Sequence, residues 1–373
     1  MHESNKVFRI FDEYSVTISG SGKVINSFDG NFNLACRKSD GVTFKFGKTL
    51  EENPTHCPWG PEIADIEITT ACRGIRDKDG TRTPCMFCYK SLKASGAYMG
   101  FDKFKEVLDR LVKACTLTQV ALGVDARAAT NPDLEKILSY CRYQGIVPNI
   151  TVADIDQPTA DLLVKYCGAV AVSWYPLRNS QACYDSLKLL QSAKNKQQRN
   201  TQLNIHALLC LETLPFFDEL FIKLQNELKG IVRATVLLSL KKKGRGHSWH
   251  RVSQEQFGML LDNFVSKSLT FGMDSCGANK FLKWLEAHPD KSSLKSCVES
   301  CESTLFSGYI NVHGEFFPCS FTEGEEGWEE GIQVCDYEDF SEVWHHPRVE
   351  AWRKRALWCI SCKGSNECPY WEV

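Results

Sequence analysis

DIEITTACRGIRDKDGTRTPCMFCYK, residues 65–90, carries three cysteines immediately after the end of a short apolar run. That run, IADIEIT (63–69), reads as a β-strand, and Cys72 lies just past its C-terminal end. Sheets of parallel strands in α/β proteins place their active sites there. Twelve residues separate Cys72 from Cys85, and two separate Cys85 from Cys88. Three thiolates suit an iron–sulfur cluster or zinc. Three rather than four leaves one metal position open, which chemistry needs and a purely structural site does not.

Outward from this stretch the chain alternates strand and helix. TQVALGV (118–124), VPNITVA (147–153), GAVAVSW (168–174), TQLNIHALL (201–209) and IVRATVLLSL (231–240) read as further strands. Between and after them lie FDKFKEVLDRLVKAC (101–115), NPDLEKILSYC (131–141), PTADLLVKYC (158–167), SQACYDSLKLLQSAK (180–194), LPFFDELFIKLQNEL (214–228) and SQEQFGMLLDNFVSK (253–267), which read as helices. In the first of these, Phe101, Phe104, Leu108, Leu111 and Cys115 fall on one face. Asn131 reads as the N-cap of the second. Six such units imply a parallel sheet with right-handed crossovers, either a curved partial barrel or an open doubly wound sheet. Residues 1–60 read instead as β-hairpins, around Gly20–Ser21–Gly22 and Asp40–Gly41. Past Leu269 the alternation breaks into a cysteine-rich tail. Its weak periodicity predicts a small core, with metal ligation supplying folding energy.

The 44 basic and 46 acidic residues give a formal charge of −2, so nothing demands a polyanionic partner. The N-terminal MHESNKVFRIFDEYS lacks an apolar signal-peptide core, and no apolar run approaches the roughly 18 residues that span a bilayer. A soluble, cytoplasmic protein is expected. Eighteen cysteines in such a compartment are reduced thiols rather than disulfides. Cys115, Cys141, Cys167, Cys183 and Cys210 stand singly in apolar segments and read as small buried hydrophobes. The clusters at 72–88 and 297–368 read as metal ligands.

Cys85-Met86-Phe87-Cys88 resembles the last half of the radical S-adenosylmethionine (SAM) motif, in which three cysteines follow the first barrel strand and an aromatic residue precedes the third. The resemblance implies an α/β fold with a partial (β/α)6 barrel over 61–273, a β-rich N-terminal segment over 1–60 and a Cys-rich extension over 274–373. It implies that Cys72, Cys85 and Cys88 hold three irons of a [4Fe–4S] cluster. The fourth iron would take the amino and carboxylate groups of SAM, with Phe87 near the adenine. The usual gap between the first two cysteines is three residues; the longer gap here reads as a Gly-, Lys- and Asp-rich surface excursion. Ala121-Leu122-Gly123-Val124-Asp125 is similar to the Gly-Gly-Glu-Pro motif that meets the cofactor's amino group, with one Gly and the Pro absent and Asp for Glu, which implies roles for Gly123 and Asp125. Ser173 and His206 are candidates to face the ribose or the substrate; a histidine inside a strand also reads as a satisfied core residue.

In the tail, Cys301, Gly314-x4-Cys319 and Cys359-x2-Cys362-x5-Cys368 resemble the SPASM or shorter twitch extension of these enzymes. The resemblance implies one auxiliary iron–sulfur cluster on Cys301, Cys319, Cys359 and Cys362. Cys276, Cys297, Cys335 and Cys368 are candidates for a second or substitute site, and structural zinc is the alternative metal. The implied activity is reductive cleavage of SAM to a 5′-deoxyadenosyl radical that abstracts hydrogen from a peptide or protein side chain, with flavodoxin or ferredoxin as one-electron donor. An RNA- or nucleotide-modifying enzyme and a non-catalytic zinc-stabilised binding protein are the rival readings. The basic stretch LKKKGRGHSWHR (240–251) reads as a solvated loop, or as a phosphate contact.

Overall fold

The computed structural model describes residues 6–50, 52–123, 128–299 and 301–363. The chain begins with an antiparallel meander of β1 (Val7–Ile10), β2 (Tyr14–Ile18), β3 (Gly22–Ser27), β4 (Asn33–Arg37) and β5 (Thr43–Phe46), in that spatial order. Both expected hairpins are present. Gly41, at φ +76°, closes the second turn, where the Asp40 carboxylate takes two bonds from the Arg37 guanidinium at 2.7 and 2.8 Å. One face of the meander turns Tyr14, Val16, Ile25 and Leu34 into a shared apolar cluster with Cys57, Cys115 and Leu305.

The second sheet contains the βα alternation. Its strands β6 (Ile63–Ile66), β9 (Gln119–Leu122), β10 (Val147–Val152), β11 (Ala169–Trp174), β12 (Gln202–Leu209), β13 (Ala234–Ser239) and β14 (Phe271–Met273) run parallel. The helices α1 (Phe101–Leu111), α2 (Leu134–Tyr143), α3 (Gln157–Tyr166), α4 (Ser180–Gln197), α5 (Phe217–Gln225) and α6 (Gln254–Ser266) connect them, and α7 (Ala278–Glu286) follows the last. Strand alternation sorts the side chains: Leu203, Ile205, Ala207 and Leu209 of β12 are buried, while Asn204, His206 and Leu208 face the other side. Each fully buried Leu or Ile contributes about 1.5–3 kcal/mol. Six strands were expected; Phe271–Met273 adds a seventh where the sequence pattern breaks off. The helix starts at Leu134 with Asp133 at its cap position, and Asn131 acts just outside it, its Oδ1 accepting the Asp133 N–H at 2.8 Å. The buried Asn131 Nδ2 also bonds Ile68 O and Met99 O at 2.6 and 2.9 Å, tying the chain after β6 to the start of α1.

The excursion between Cys72 and Cys85 is a two-stranded hairpin, β7 (Ile75–Arg76) and β8 (Arg82–Thr83), with an exposed tip at Gly80. Arg82 pairs with Asp154, and Arg178 with Asp77, so ion pairs fasten it over the ends of neighbouring strands.

After α7 the chain returns to the opposite edge of the sheet. There β15 (Ser307–Ile310) pairs in parallel with β6, and β16 (Glu315–Phe317) and β17 (Ile332–Gln333) follow antiparallel. The helices α8 (Phe340–Trp344) and α9 (Pro347–Lys363) come next. This corrects the expectation of a metal-stapled tail with little core. Phe316, Phe317, Trp328, Phe340, Val343, Trp344 and Trp352 are all buried and belong to the same apolar core as the parallel sheet. No helix among the described residues is long and apolar enough to cross a membrane.

Candidate cofactor site

The C-terminal ends of the parallel strands enclose a cavity of about 400 Å³. Cys72, Cys85 and Cys88 all line it, and so do Phe87, Gly123, Ser173 and His206. Asp125 lies outside the described residues. All three cysteines are half-buried, in contrast to Cys115, Cys141, Cys167, Cys183 and Cys210, which are buried as the sequence implied. The Cys72 sulfur accepts the Gly74 N–H at 3.3 Å. Among the described residues no three His, Cys, Asp or Glu side chains converge as ligands of a single metal ion. A cluster makes a looser demand, since each of its three thiolates binds a different iron. Three half-exposed thiols on one loop over one cavity fit that donor set.

The loop bearing Cys85 and Cys88 is held from outside by the basic stretch that follows β13. The Arg245 N–H donates to Cys88 O at 3.0 Å and its Nε to Cys85 O at 2.7 Å. The Trp249 indole donates to Met86 O at 3.1 Å. The stretch is therefore not a solvated loop. Arg245 is engaged with cluster-loop carbonyls, and Lys243 bonds Phe321 O, Glu323 O and the Glu325 carboxylate. Glycine is needed at 244 because the two backbones touch there, and at 246 because the stretch folds back on itself. A Cβ on Gly244, already at φ +55°, would stand 2.3 Å from Tyr89 O, and one on Gly246 2.7 Å from Lys241 O. Gly244→Ala should cost about 2 kcal/mol or more through strain and overlap. Iron bound per chain after reconstitution, read beside a urea midpoint, should fall with it; full iron loading at unchanged stability would count against the clamp.

Opposite the loop, the cavity wall is built by strand register. Ser173 on β11 pairs with His206 on β12, so the two share one row on the concave face. Burial lowers the His206 pKa to about 4, partly offset by Asp274. The imidazole is thus neutral at pH 7, 3.4 Å from the Thr151 hydroxyl. Because its folded pKa lies below the unfolded value near 6.5, His206 lowers stability as pH falls from about 6.5 toward 4. An NMR titration should find one histidine with a midpoint well below 6, absent from His206→Gln; a midpoint near 6.5 would contradict the desolvated ring. Phe87 stacks toward Tyr175, with centroids 5.7 Å apart, and meets Trp249 edge-on at 5.3 Å.

Sequence reading missed Asp65, Thr151, Tyr175, Lys241 and Asp274, which also line the cavity. Burial raises the Asp65 pKa to about 6. Asp65 and Thr151 stand at alternate positions of strands whose intervening residues are apolar, a period-two signal that could have marked them as inward-facing. Asp274 is fixed by the Ser239 N–H and hydroxyl at 2.9 and 2.7 Å, and lies 3.7 Å from Lys241 Nζ.

Of the expected auxiliary ligands, Cys301 and Cys319 are half-buried. The side chains of Cys297, Cys359 and Cys362, and all of Cys368, lie outside the described residues. Burial, Asp274 and the nearby Cys319 push the Cys276 thiol up to about 12, so Cys276 and Cys319 share one neighbourhood. Cys335 instead meets Glu106 and Lys103 of α1.

No protein-family profile and no curated protein matches this chain. Solved structures do. SuiB of Streptococcus suis bound to S-adenosylmethionine matches at TM-score 0.61 and 14% identity, covering 83% of this chain and 72% of that one. SuiB bound to the precursor peptide SuiA matches at TM-score 0.64 and 12% identity, over 93% of this chain and 90% of that one. Native anSMEcpe with bound S-adenosylmethionine and the Cp18Cys peptide matches at TM-score 0.58 and 12% identity, over 83% and 89%. The chain therefore has the fold of SuiB and anSMEcpe, which bears out at the level of fold the likeness to radical SAM enzymes with a SPASM-type extension that its cysteines carry.

Proposed function

We propose that this chain is a radical SAM enzyme acting on a peptide or protein side chain, with a partial barrel over 61–273, an N-terminal β-segment over 1–60 and a Cys-rich extension over 274–373. One observation carries the reading: Cys72, Cys85 and Cys88, half-exposed on one loop at the C-terminal end of the first parallel strand, face the polar row of Ser173 and His206 across a single cavity. Cys72, Cys85 and Cys88 would hold a [4Fe–4S] cluster, which would supply the electron for reductive cleavage of SAM to methionine and a hydrogen-abstracting 5′-deoxyadenosyl radical. The chain's own residues do the positioning. Phe87 and Tyr175 offer aromatic faces for adenine, Gly123 lines the cavity without a side chain, and Ser173 and neutral His206 offer hydrogen bonds to a ribose or substrate. Arg245 and Trp249 hold the cysteine loop in place through Cys85 O and Met86 O.

An auxiliary iron–sulfur cluster on Cys301, Cys319, Cys359 and Cys362, and flavodoxin or ferredoxin as the electron donor, complete the proposal. The peptide substrate is supported by the peptides bound to SuiB and anSMEcpe. The nucleotide reading loses its main support, because Arg245 and Lys243 already have protein partners.

The test is to purify the protein without oxygen, reconstitute it with iron and sulfide, add dithionite and SAM, and quantify 5′-deoxyadenosine. Its formation above a protein-free control is the expected result. A colourless protein carrying zinc and yielding none would replace the enzyme with a metal-stapled binding protein.

A further inference from the structure

We infer that the open edge of β14 is a docking track on which an extended peptide substrate pairs as an additional strand, presenting one side chain to the cofactor cavity over Gly272. This rests on the peptide-modifying reading and deepens it. β14 is the last strand of the sheet on its side. Its pairing with β13 uses Thr270 O, which accepts from Thr235 N, and Asp274 N, which donates to Leu237 O. Strand alternation therefore turns the N–H and C=O of Phe271 and Met273 away from β13, to the open edge. An edge of this kind is a ready template for another chain.

The edge is half-buried. It forms one wall of a second cavity, of about 700 Å³, within the roughly 300–1,000 Å³ of ligand pockets. Phe281 of α7 and Leu294 and Val298 of the returning segment line it too, together with Glu299 and Glu302. Strand addition gives affinity through main-chain bonds and selectivity through pockets for alternate side chains, and these apolar residues supply such a pocket. Asp274 lines both this cavity and the cofactor cavity, so the two are neighbours across it.

Register decides where the other side chains go. Ser173, His206, Val236 and Gly272 occupy successive places in one row across β11 to β14. Ser173 and His206 mark that row as facing the cofactor cavity. The row ends on a residue without a side chain. A Cβ built on Gly272 would find its nearest neighbour, Val236 Cγ2, at 3.8 Å, an ordinary contact, so packing does not demand glycine there. An added strand would place its own residue next in the row, and Gly272 puts no side chain between that residue and Val236, the neighbour of His206.

The test pans a displayed library of seven-residue peptides over the reconstituted wild-type protein with SAM. Enriched sequences are then synthesised and their binding measured by fluorescence anisotropy. Peptides should enrich, and N-methylation of alternate backbone nitrogens should weaken them at least tenfold. Met273→Pro, which removes an outward N–H and leaves the β13 ladder, should do the same. Gly272→Leu should weaken peptides with a large side chain at the facing position and spare those with glycine there. Absence of enrichment, or peptides indifferent to N-methylation, would overturn the docking track; the second readout needs no variant to fold. 5′-Deoxyadenosine made without peptide is followed in the same preparations. Its loss alone would sink the radical reading, whereas its persistence beside failed peptide pairing would sink only the track.

Discussion

Cys85→Ala and Cys88→Ala should each bring 5′-deoxyadenosine formation down to the protein-free background, while Cys167→Ala and Cys183→Ala should leave it near the wild-type rate. The contrast follows from the environment of the thiols rather than from their number. A cysteine binds iron as thiolate, so it needs access and a surrounding that tolerates negative charge. Cys85 and Cys88 are half-exposed on the cavity wall, beside a loop whose carbonyls are turned toward Arg245 and Trp249. Cys167 and Cys183 lie in the core beneath the helices, where burial pushes the Cys167 thiol up to about 12 and the Cys183 thiol well above its ordinary value. Their removal should cost on the order of 1 kcal/mol of packing and nothing in chemistry. Iron per chain, the visible absorption of the reconstituted protein and product yield should fall together in the first pair and in neither of the second. Equal losses in all four would mean that the cluster-loop cysteines act only through folding.

That division of the cysteines was legible in the sequence, because isolated Cys in an apolar helix and CxxC after a strand are different local patterns. So was most of the scaffold: strands and helices of six or more residues carry enough periods to be read. β14 was not, since the three residues Phe271–Met273 are too few to show alternation. The tail's aromatics were read as a metal-bound cluster because their spacing follows no single period. They are buried by β15, β16, β17, α8 and α9, which pack on the parallel sheet beside β6, a strand over 240 residues earlier in the chain. The basic stretch failed for a related reason. Lys and Arg are read as solvated by default, and their actual acceptors, Cys85 O for Arg245 and Phe321 O, Glu323 O and the Glu325 carboxylate for Lys243, are brought to them by the fold, which no one-dimensional pattern identifies. Gly123, Ser173 and His206 were found through likeness to a motif or a strand end. Tyr175 and Lys241 carried no such mark.

Lys90→Met should be the most destabilising of the single substitutions at the seam between the cluster loop and the extension, by about 3–5 kcal/mol. Lys90, two residues after Cys88, reaches Glu67 at 2.7 Å, Glu323 at 2.6 Å and the Tyr309 hydroxyl at 2.5 Å. The Tyr309 hydroxyl in turn donates to Glu67 at 2.8 Å. The side chains of Lys90 and Glu67 are 10% and 1% exposed, so water cannot replace the lost ammonium. Burial already raises the Glu67 pKa, and Lys90 is the main counterweight; without it a buried carboxylate is left to one phenol. Adding Glu67→Gln to Lys90→Met should recover part of the loss, since it removes the stranded charge, and the double-mutant cycle should give a coupling well above 1 kcal/mol. Equilibrium urea unfolding measures both, and a single-variant loss within 1 kcal/mol would mean that the pair is solvated. The network joins a parallel strand and the cluster loop, through Glu67 and Lys90, to the extension, through Tyr309 and Glu323. Faster amide exchange should therefore appear on both sides of the seam, in 85–92 and in 307–323, and iron retention should fall in step with it.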